Sequence, residues 1–186
     1  MMPTAVDVLK LLENRGDSQY GGEPVTQLEH ALQCAALAEA EGASPELIIA
    51  ALLHDVGHLL HDLPDDASDT GVDDHHERSG NQFLKGIFPQ AVTEPVRLHV
   101  AAKRYLCTID ETYLGTLSRP SVVSFEIQGG KMTPDEMENF AGCAYADDSV
   151  KLRRWDDAAK DPTASPPPLS HFESILRLVA LDEPRP

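Results

Sequence analysis

The stretch that most constrains this chain is an apolar run, Leu47 to Leu53, leading straight into His54-Asp55 and on to His58. His58 follows His54 at i,i+4 spacing, so a continuing helix puts both imidazoles on one face. Burying an aspartate and two histidines behind such a run is costly without a compensating cation. A metal is the usual compensator, because neutral imidazole and carboxylate are standard ligands for iron, zinc and manganese. The competing reading is a satisfied pair at an exposed helix end, and a lone His-Asp dipeptide does not choose between the two.

The rest of the chain narrows the choice. Its 186 residues fit one domain, and at 41% hydrophobic it can bury a core. Fifteen basic against 31 acidic residues give a formal net charge of −16. That argues against nucleic acid or an anionic membrane as partner, since both need a basic face. An anionic substrate then needs local positive charge, from a metal or a few placed side chains. Cys34, Cys107 and Cys143 are odd in number and form no CxxC, so neither a disulfide framework nor a cysteine zinc site is indicated. Met1-Met2-Pro3-Thr4 lacks the pattern of a signal peptide, and no apolar run is long enough to span a bilayer. A cytoplasmic protein is the expectation.

Helix signals recur along the chain. Thr4 to Asn14 is amphipathic, with Thr4 as cap and Gly16 as stop. A loop with Tyr20-Gly21-Gly22-Glu23 follows; its glycines serve either a plain turn or a close approach to a ligand. Pro24 or Val25 opens a second helix to about Ala40, with His30 beside its apolar stripe. Ser44-Pro45 starts the third, which carries the His54-Asp55 motif and ends by Pro64. Asp65 to Asp74 is an acidic loop, either a solvated excursion or a lid between two ligand-bearing segments. A fourth helix begins at His75-His76. Pro89 to Leu106 is expected as two helical pieces divided at Pro95. His99 and Lys103 share a face there, which suits a metal site that binds an anion or, more plainly, a snorkelling lysine beside a surface histidine. Ser118 to Lys131 is the least regular stretch, rich in hydrogen-bonding side chains. Thr133-Pro134-Asp135-Glu136 is a strong helix start. A helix over about Ser149 to Lys160 carries Trp155-Asp156, and a Pro-rich connector precedes a last helix, Ser170 to Ala180. No strand alternation stands out. The predicted class is all-α.

The candidate ligands are His30, His54, Asp55, His58, His76, His99 and Asp156, drawn from separate helices. Two metals sharing Asp55 use roughly this many ligands, and a single six-coordinate metal does not. One such division gives His30, His54 and Asp156 to one metal and His76 and His99 to the other. The spacing by itself does not show that division.

The pattern His30…His54-Asp55…Asp156 resembles the HD-domain superfamily of metal-dependent phosphohydrolases, and the added His76 and His99 resemble its di-metal branch. Whole phrases are similar to a smaller group, the HD-domain mixed-valent diiron oxygenases of phosphonate catabolism. These are Tyr20-Gly-Gly-Glu23, Gln27 to Ala35, Ala50 to His58, His76-Glu77 with Gly80, His99 to Leu106, Gln128-Gly-Gly130 and Arg154-Trp155-Asp156. The likeness covers roughly residues 9–160 and leaves 161–186 as connector and terminal helix. It implies an HD helical bundle with a di-metal site in its core.

The implied cofactor is an Fe(II)/Fe(III) pair, with O2 as co-substrate. The implied reaction is cleavage of the carbon–phosphorus bond of a small organophosphonate that bears a 1-hydroxyl. The implied products are phosphate and a carboxylic acid, glycine from the 2-amino substrate or glycine betaine from its trimethylammonio analogue. The implied metal ligands are His30, His54, Asp55, His76, His99 and Asp156. His76 is chosen over His75 because Glu77 and Gly80 follow it, and Asp156 over Asp157 because it follows Trp155. His58 and Lys103 supply charge for the phosphonate, with Ser121 and Gln128 as further donors. Tyr20 resembles a residue that caps an iron before substrate arrives. Glu23 resembles one that leaves with it or pairs with a substrate ammonium, where Tyr20 adds a cation–π face. A monomer is the simpler expectation for assembly.

Two other readings compete. An HD phosphohydrolase acting on a phosphomonoester or nucleotide through a metal-bound hydroxide needs the same core. It gives no special reason for His76, His99, Lys103 and the Tyr20/Glu23 loop together. A non-catalytic HD module is expected to have lost ligands, and none is lost here.

Overall fold

The computed structural model describes residues 3–61 and 73–181. Among them are ten α-helices and one 3-10 turn, and the only β pairing is two isolated bridges. The centre of the molecule is α3 (Pro45–Leu53), in which Leu47 through Leu53 are all buried. A helix apolar on every side has no solvent face and must be surrounded. α2 (Gln27–Ala40), α5 (Gln90–Ile109), α9 (Ala146–Ala158) and α10 (Leu169–Val179) pack around it. α4 (His76–Leu84) packs on α5 and on the 3-10 turn, and α1 (Ala5–Arg15) closes the side near α10.

Local signals set most of the starts. Thr4, Thr26 and Thr133 each close a capping box, with Asp7, Glu29 and Glu136 returning the hydrogen bond. Ser44 caps α3 with Pro45 in its first turn. The second helix therefore begins at Gln27, two or three residues later than Pro24 or Val25, because Thr26 offers the better cap. α9 begins a turn earlier than Ser149, at Ala146, with Asp147 and Asp148 in its first turn.

Three expectations are corrected. α5 is one continuous helix with Pro95 inside it, because Pro95 is buried against neighbouring helices that hold the segment together. The stretch expected to be irregular is α7 (Arg119–Ile127): Ser118 caps it and Pro120 sits in its first turn, which outweighs the β-branched Val122-Val123. A short α6 (Glu111–Leu114), capped by Asp110, precedes it. The third correction matters most. α3 stops at Leu53 and a separate 3-10 turn, Val56–Leu60, follows, so His54 and His58 do not share a helix face. The break is local: the His54 Nδ1–H donates to the carbonyl of Ala51 at 2.8 Å, and Asp55 leaves the helical region at φ −102°, ψ 11°. Most of the acidic loop, residues 62–72, lies outside the described residues; only its end, Asp73 and Asp74, is described.

The 3-10 turn meets the start of α4 through Gly57. A Cβ there would lie 2.0 Å from the carbonyl oxygen of His76, and one on Gly80 would lie 3.3 Å from the Gly57 nitrogen. This contact fixes how close His76 comes to Asp55. We expect Gly57→Ala to cost about 1–3 kcal/mol as an overpacking change, a drop of several degrees in Tm by calorimetry.

Candidate metal centre

Four imidazoles converge on the Asp55 carboxylate from four elements. His30 comes from α2, His54 from the end of α3, His76 from the first turn of α4 and His99 from the middle of α5. All are buried, as are Asp55 and Asp156. Asp55 Oδ2 lies 3.1 Å from His54 Nε2 and 3.6 Å from His30 Nε2. Its other oxygen, Oδ1, lies 3.3 Å from both His76 Nε2 and His99 Nε2. Asp156 completes the first set, 3.4 Å from His30 Nε2 and 3.7 Å from His54 Nε2. The carboxylate of Asp55 thus has one oxygen toward each of two groups, His30/His54/Asp156 and His76/His99. Each group with its carboxylate has a metal-ligating geometry.

The hydrogen bonds on the far sides of the rings decide what the near sides can do. The Nδ1–H groups of His30, His54 and His99 donate to the carbonyls of Ala159, Ala51 and Val96 at 2.8, 2.8 and 2.6 Å. That of His76 donates to Asp74 Oδ1 at 2.8 Å. In a neutral imidazole the other nitrogen then carries only a lone pair. His30 and His54 bring theirs to 3.2 Å of one another, and His76 and His99 to 3.1 Å. Facing lone pairs at that distance, with Asp55 Oδ2 buried and unpartnered between them, call for cations. Anchoring each ligand by its outer nitrogen is the usual way a protein orients a metal-binding histidine. The donor set of imidazole nitrogen and carboxylate oxygen, with no thiolate, fits iron, manganese or zinc.

The surrounding charges are arranged to keep both aspartates ionised. Burial alone would raise them, but without a metal Asp55 draws positive charge onto His54 and His76, whose own pKa values it pushes up (His76 to about 10). That charge, which bound cations would replace, holds Asp55 well below the usual carboxylate range; the Arg153 guanidinium does the same for Asp156. Arg153 Nη1 lies 2.7 Å from Asp156 Oδ2, while its other nitrogens and the Tyr113 hydroxyl occupy Asp157. Asp157 therefore faces away from the histidines. His75 likewise points outward, 55% exposed and paired with Asp73, in a left-handed conformation at φ 49°. Between each adjacent pair, Asp156 and His76 face the centre.

The other expected residues line one cleft of about 140 Å³ over the cluster. That is well under the ~300 Å³ at which drug-sized ligands begin to fit. Tyr20 stacks on His30 with centroids 3.9 Å apart, and its hydroxyl is 3.5 Å from Asp156 Oδ1. Burial and the two aspartates push that phenol well above its ordinary pKa, so it stays protonated. His58 stacks on His76 at 3.9 Å and holds Asp74 at 2.6 Å; it stands beside the centre and 3.9 Å from Asp55 Oδ1. Lys103 donates to Ser124 Oγ at 2.7 Å. Burial brings its pKa down to about 7, with Arg153 contributing. Ser121 is buried, and Gln128 keeps a buried, unpartnered amide oxygen. Glu23 accepts from Ser118 Oγ and lies 3.2 Å from Lys160 Nζ.

Three residues of the site were not anticipated, Asp74, Arg153 and Lys160, while Ser118 and Ser124 fall in the stretch read only as rich in hydrogen-bonding side chains. Arg153 carried a signal, since i,i+3 spacing places it on the face of Asp156. Asp74 carried a weaker one, two residues before a candidate ligand histidine.

The match to known proteins is consistent with this geometry. Residues 28–110 match the HD domain family. The chain is 46% identical over 168 residues to hydroxymethylphosphonate dioxygenase of Gimesia maris, covering 90% of this chain and 83% of that protein. It is 38% identical over 167 residues to [1-hydroxy-2-(trimethylamino)ethyl]phosphonate dioxygenase (glycine-betaine-forming) of Leisingera caerulea, covering 90% and 85%. The chain belongs to the HD-domain oxygenases of phosphonate catabolism. An uncharacterised protein of Acanthamoeba polyphaga mimivirus is also 33% identical, over 91% of this chain and 78% of its own length. Among the described residues of this HD-domain oxygenase, no helix is long and apolar enough to cross a membrane.

Metal analysis checks the assignment of adjacent residues. His76→Ala is expected to lose about half of the bound metal, and His75→Gly to retain all of it while relieving a left-handed backbone worth ~1 kcal/mol. Chelation of the wild type is expected to lower Tm, because metal bound only to the folded state stabilises it.

Proposed function

We propose that this HD-domain oxygenase holds two irons, as an Fe(II)/Fe(III) pair, on His30, His54, Asp55, His76, His99 and Asp156. In that state it cleaves the C–P bond of a 1-hydroxyalkylphosphonate with O2. The observation that carries the reading is the carboxylate of Asp55, with one oxygen toward each of two histidine pairs. The irons supply O2 activation and Lewis acidity toward the substrate oxygens. Phosphate leaves, and C1 with its substituent becomes a carboxylic acid: glycine from an aminomethyl substituent, glycine betaine from its trimethylammonio form, formate from hydrogen.

The chain's own residues bind and orient. Lys103 places an ammonium in the cleft, held by Ser124, where it meets a phosphonate oxygen. His58 flanks the same region, anchored on Asp74. Ser121 and Gln128 add neutral hydrogen-bonding groups from α7 and its end. Tyr20, protonated and stacked on His30, covers the His30/His54/Asp156 side of the centre until substrate enters. The burial of all six candidate ligands keeps the centre itself out of bulk water. Two features of the cleft disfavour a large nucleotide: its volume, and a net acidic chain with few cations to hold a polyphosphate.

The test is phosphate release from 1-hydroxyalkylphosphonates by iron-loaded, partly reduced protein, followed by phosphorus NMR. Release is expected with O2 and absent without it. Mn-dependent hydrolysis of phosphate esters, with no release from any hydroxyphosphonate, would overturn the reading in favour of a phosphohydrolase.

Lys103 gives this reading a pH signature. Its ammonium is lost as pH rises through about 7, so affinity for the anion falls on the alkaline side. Because kcat/KM reports groups of the free enzyme, that profile should descend above neutrality in the wild type and descend later in Lys103→Arg. Lys103→Ala should raise KM about tenfold or more, the loss of a hydrogen bond to a charged group of ~1.5–3 kcal/mol.

A further inference from the structure

Glu23 has the chemistry to receive a substrate ammonium, yet its place is taken. Lys160 Nζ lies 3.2 Å from Glu23 Oε1, donates to Ser121 Oγ at 2.7 Å and to Ser118 Oγ at 3.3 Å, and sits 5.9 Å over the Tyr20 ring. A carboxylate, hydroxyls and an aromatic face are the groups that recognise an amine, and here one internal amine satisfies them. The pair is mostly buried, with side chains 11% and 9% exposed. A second ammonium entering would leave two cations against one carboxylate in a poorly solvated place, which is strongly unfavourable.

The backbone keeps Lys160 there. Ala159 on one side gives its carbonyl to His30 Nδ1 at 2.8 Å. Asp161 on the other is clamped by the Gln33 amide, through its carbonyl at 2.9 Å and its N–H at 3.1 Å. Lys160 is thus tied to the same element that supplies Asp156 and anchors His30.

We propose that Lys160 is the specificity-determining residue of this site, filling the ammonium position at Glu23 so that the chain acts on a 1-hydroxyalkylphosphonate with a small, uncharged C1 substituent. Hydroxymethylphosphonate is the smallest such substrate, and the small cleft suits it. The reaction is then HOCH2PO3(2−) + O2 giving HCO2(−), HPO4(2−) and H(+). The C–P bond breaks, C1 is oxidised to the level of formate, and O2 is the oxidant. The inference rests on the C–P cleavage reading and narrows its substrate.

The test compares kcat/KM for three substrates with the full-length, iron-loaded protein under O2: hydroxymethylphosphonate, 2-amino-1-hydroxyethylphosphonate and the trimethylammonio analogue of the latter. Wild type is expected to favour hydroxymethylphosphonate by about tenfold or more. Lys160→Met is expected to shrink that ratio by about tenfold, mainly by lowering KM for the ammonium substrates, while Lys160→Arg preserves it. A wild type that turns over either ammonium substrate as well as hydroxymethylphosphonate overturns the proposal, whether or not the variants fold. A folded Lys160→Met with an unchanged ratio overturns the role of Lys160. Phosphate from none of the three overturns the C–P cleavage reading, and this inference with it.

Discussion

One carboxylate sets the terms for the rest of the molecule. Asp55 is buried among His30, His54, His76 and His99, and one of its oxygens has no hydrogen-bond partner. Nothing in a folded chain tolerates that arrangement without further charge. The apolar helix α3 delivers Asp55 to the centre, and four other elements must close around it to bring the imidazoles within reach. The outer nitrogen of every one of those rings is spent on holding its orientation. Site and fold are therefore a single construction: the ends of α3 and α9 and the start of α4 are placed by the hydrogen bonds of the ligands themselves.

The break after Leu53 shows how this works at one point. Had α3 continued, His54 and His58 would stack on one face and serve one centre. The chain leaves the helix at Asp55, and the side chain of His54 caps the carbonyl of Ala51. That turns His54 toward His30 and leaves His58 to stack on His76 and hold Asp74. Gly57 then lets the turn press against the backbone of His76. The separation of the two histidine pairs thus follows from a helix break at His54 and Asp55, a close approach at Gly57 and a supporting aspartate, Asp74.

Local chemistry made much of this readable in advance. The apolar run of α3, the capped starts at Thr4, Ser44 and Thr133, and the inward placement of six candidate ligands follow from spacing, capping and the likeness of whole phrases. Two kinds of feature did not follow. Helix breaks and continuities such as Leu53, Pro95 and α7 are decided by packing that a linear pattern does not contain. Partnerships such as Glu23 with Lys160, or His58 with Asp74, join residues from different elements. Lys160 stands just before a Pro-rich connector, where a lysine ordinarily reads as solvated.

The charge of the chain and the charge of its site point in opposite directions, and the ion pairs explain how. A chain with a net −16 repels a phosphonate at long range, though salt screens that field beyond about 8–10 Å. Inside the cleft the balance is local. Arg153 is neutralised by Asp156 and Asp157, and Lys160 by Glu23. Among the described lysines and arginines of the cleft, this leaves Lys103 as the one with a neutral hydroxyl rather than a carboxylate as its bonded partner. The anion is then drawn to one ammonium beside the candidate metal centre, and the net-neutral Glu23–Lys160 pair, bonded to Ser121 one turn before Ser124 on α7, forms the adjoining wall. An uncharged substituent is accommodated against such a wall, whereas a charged one finds no complementary charge there.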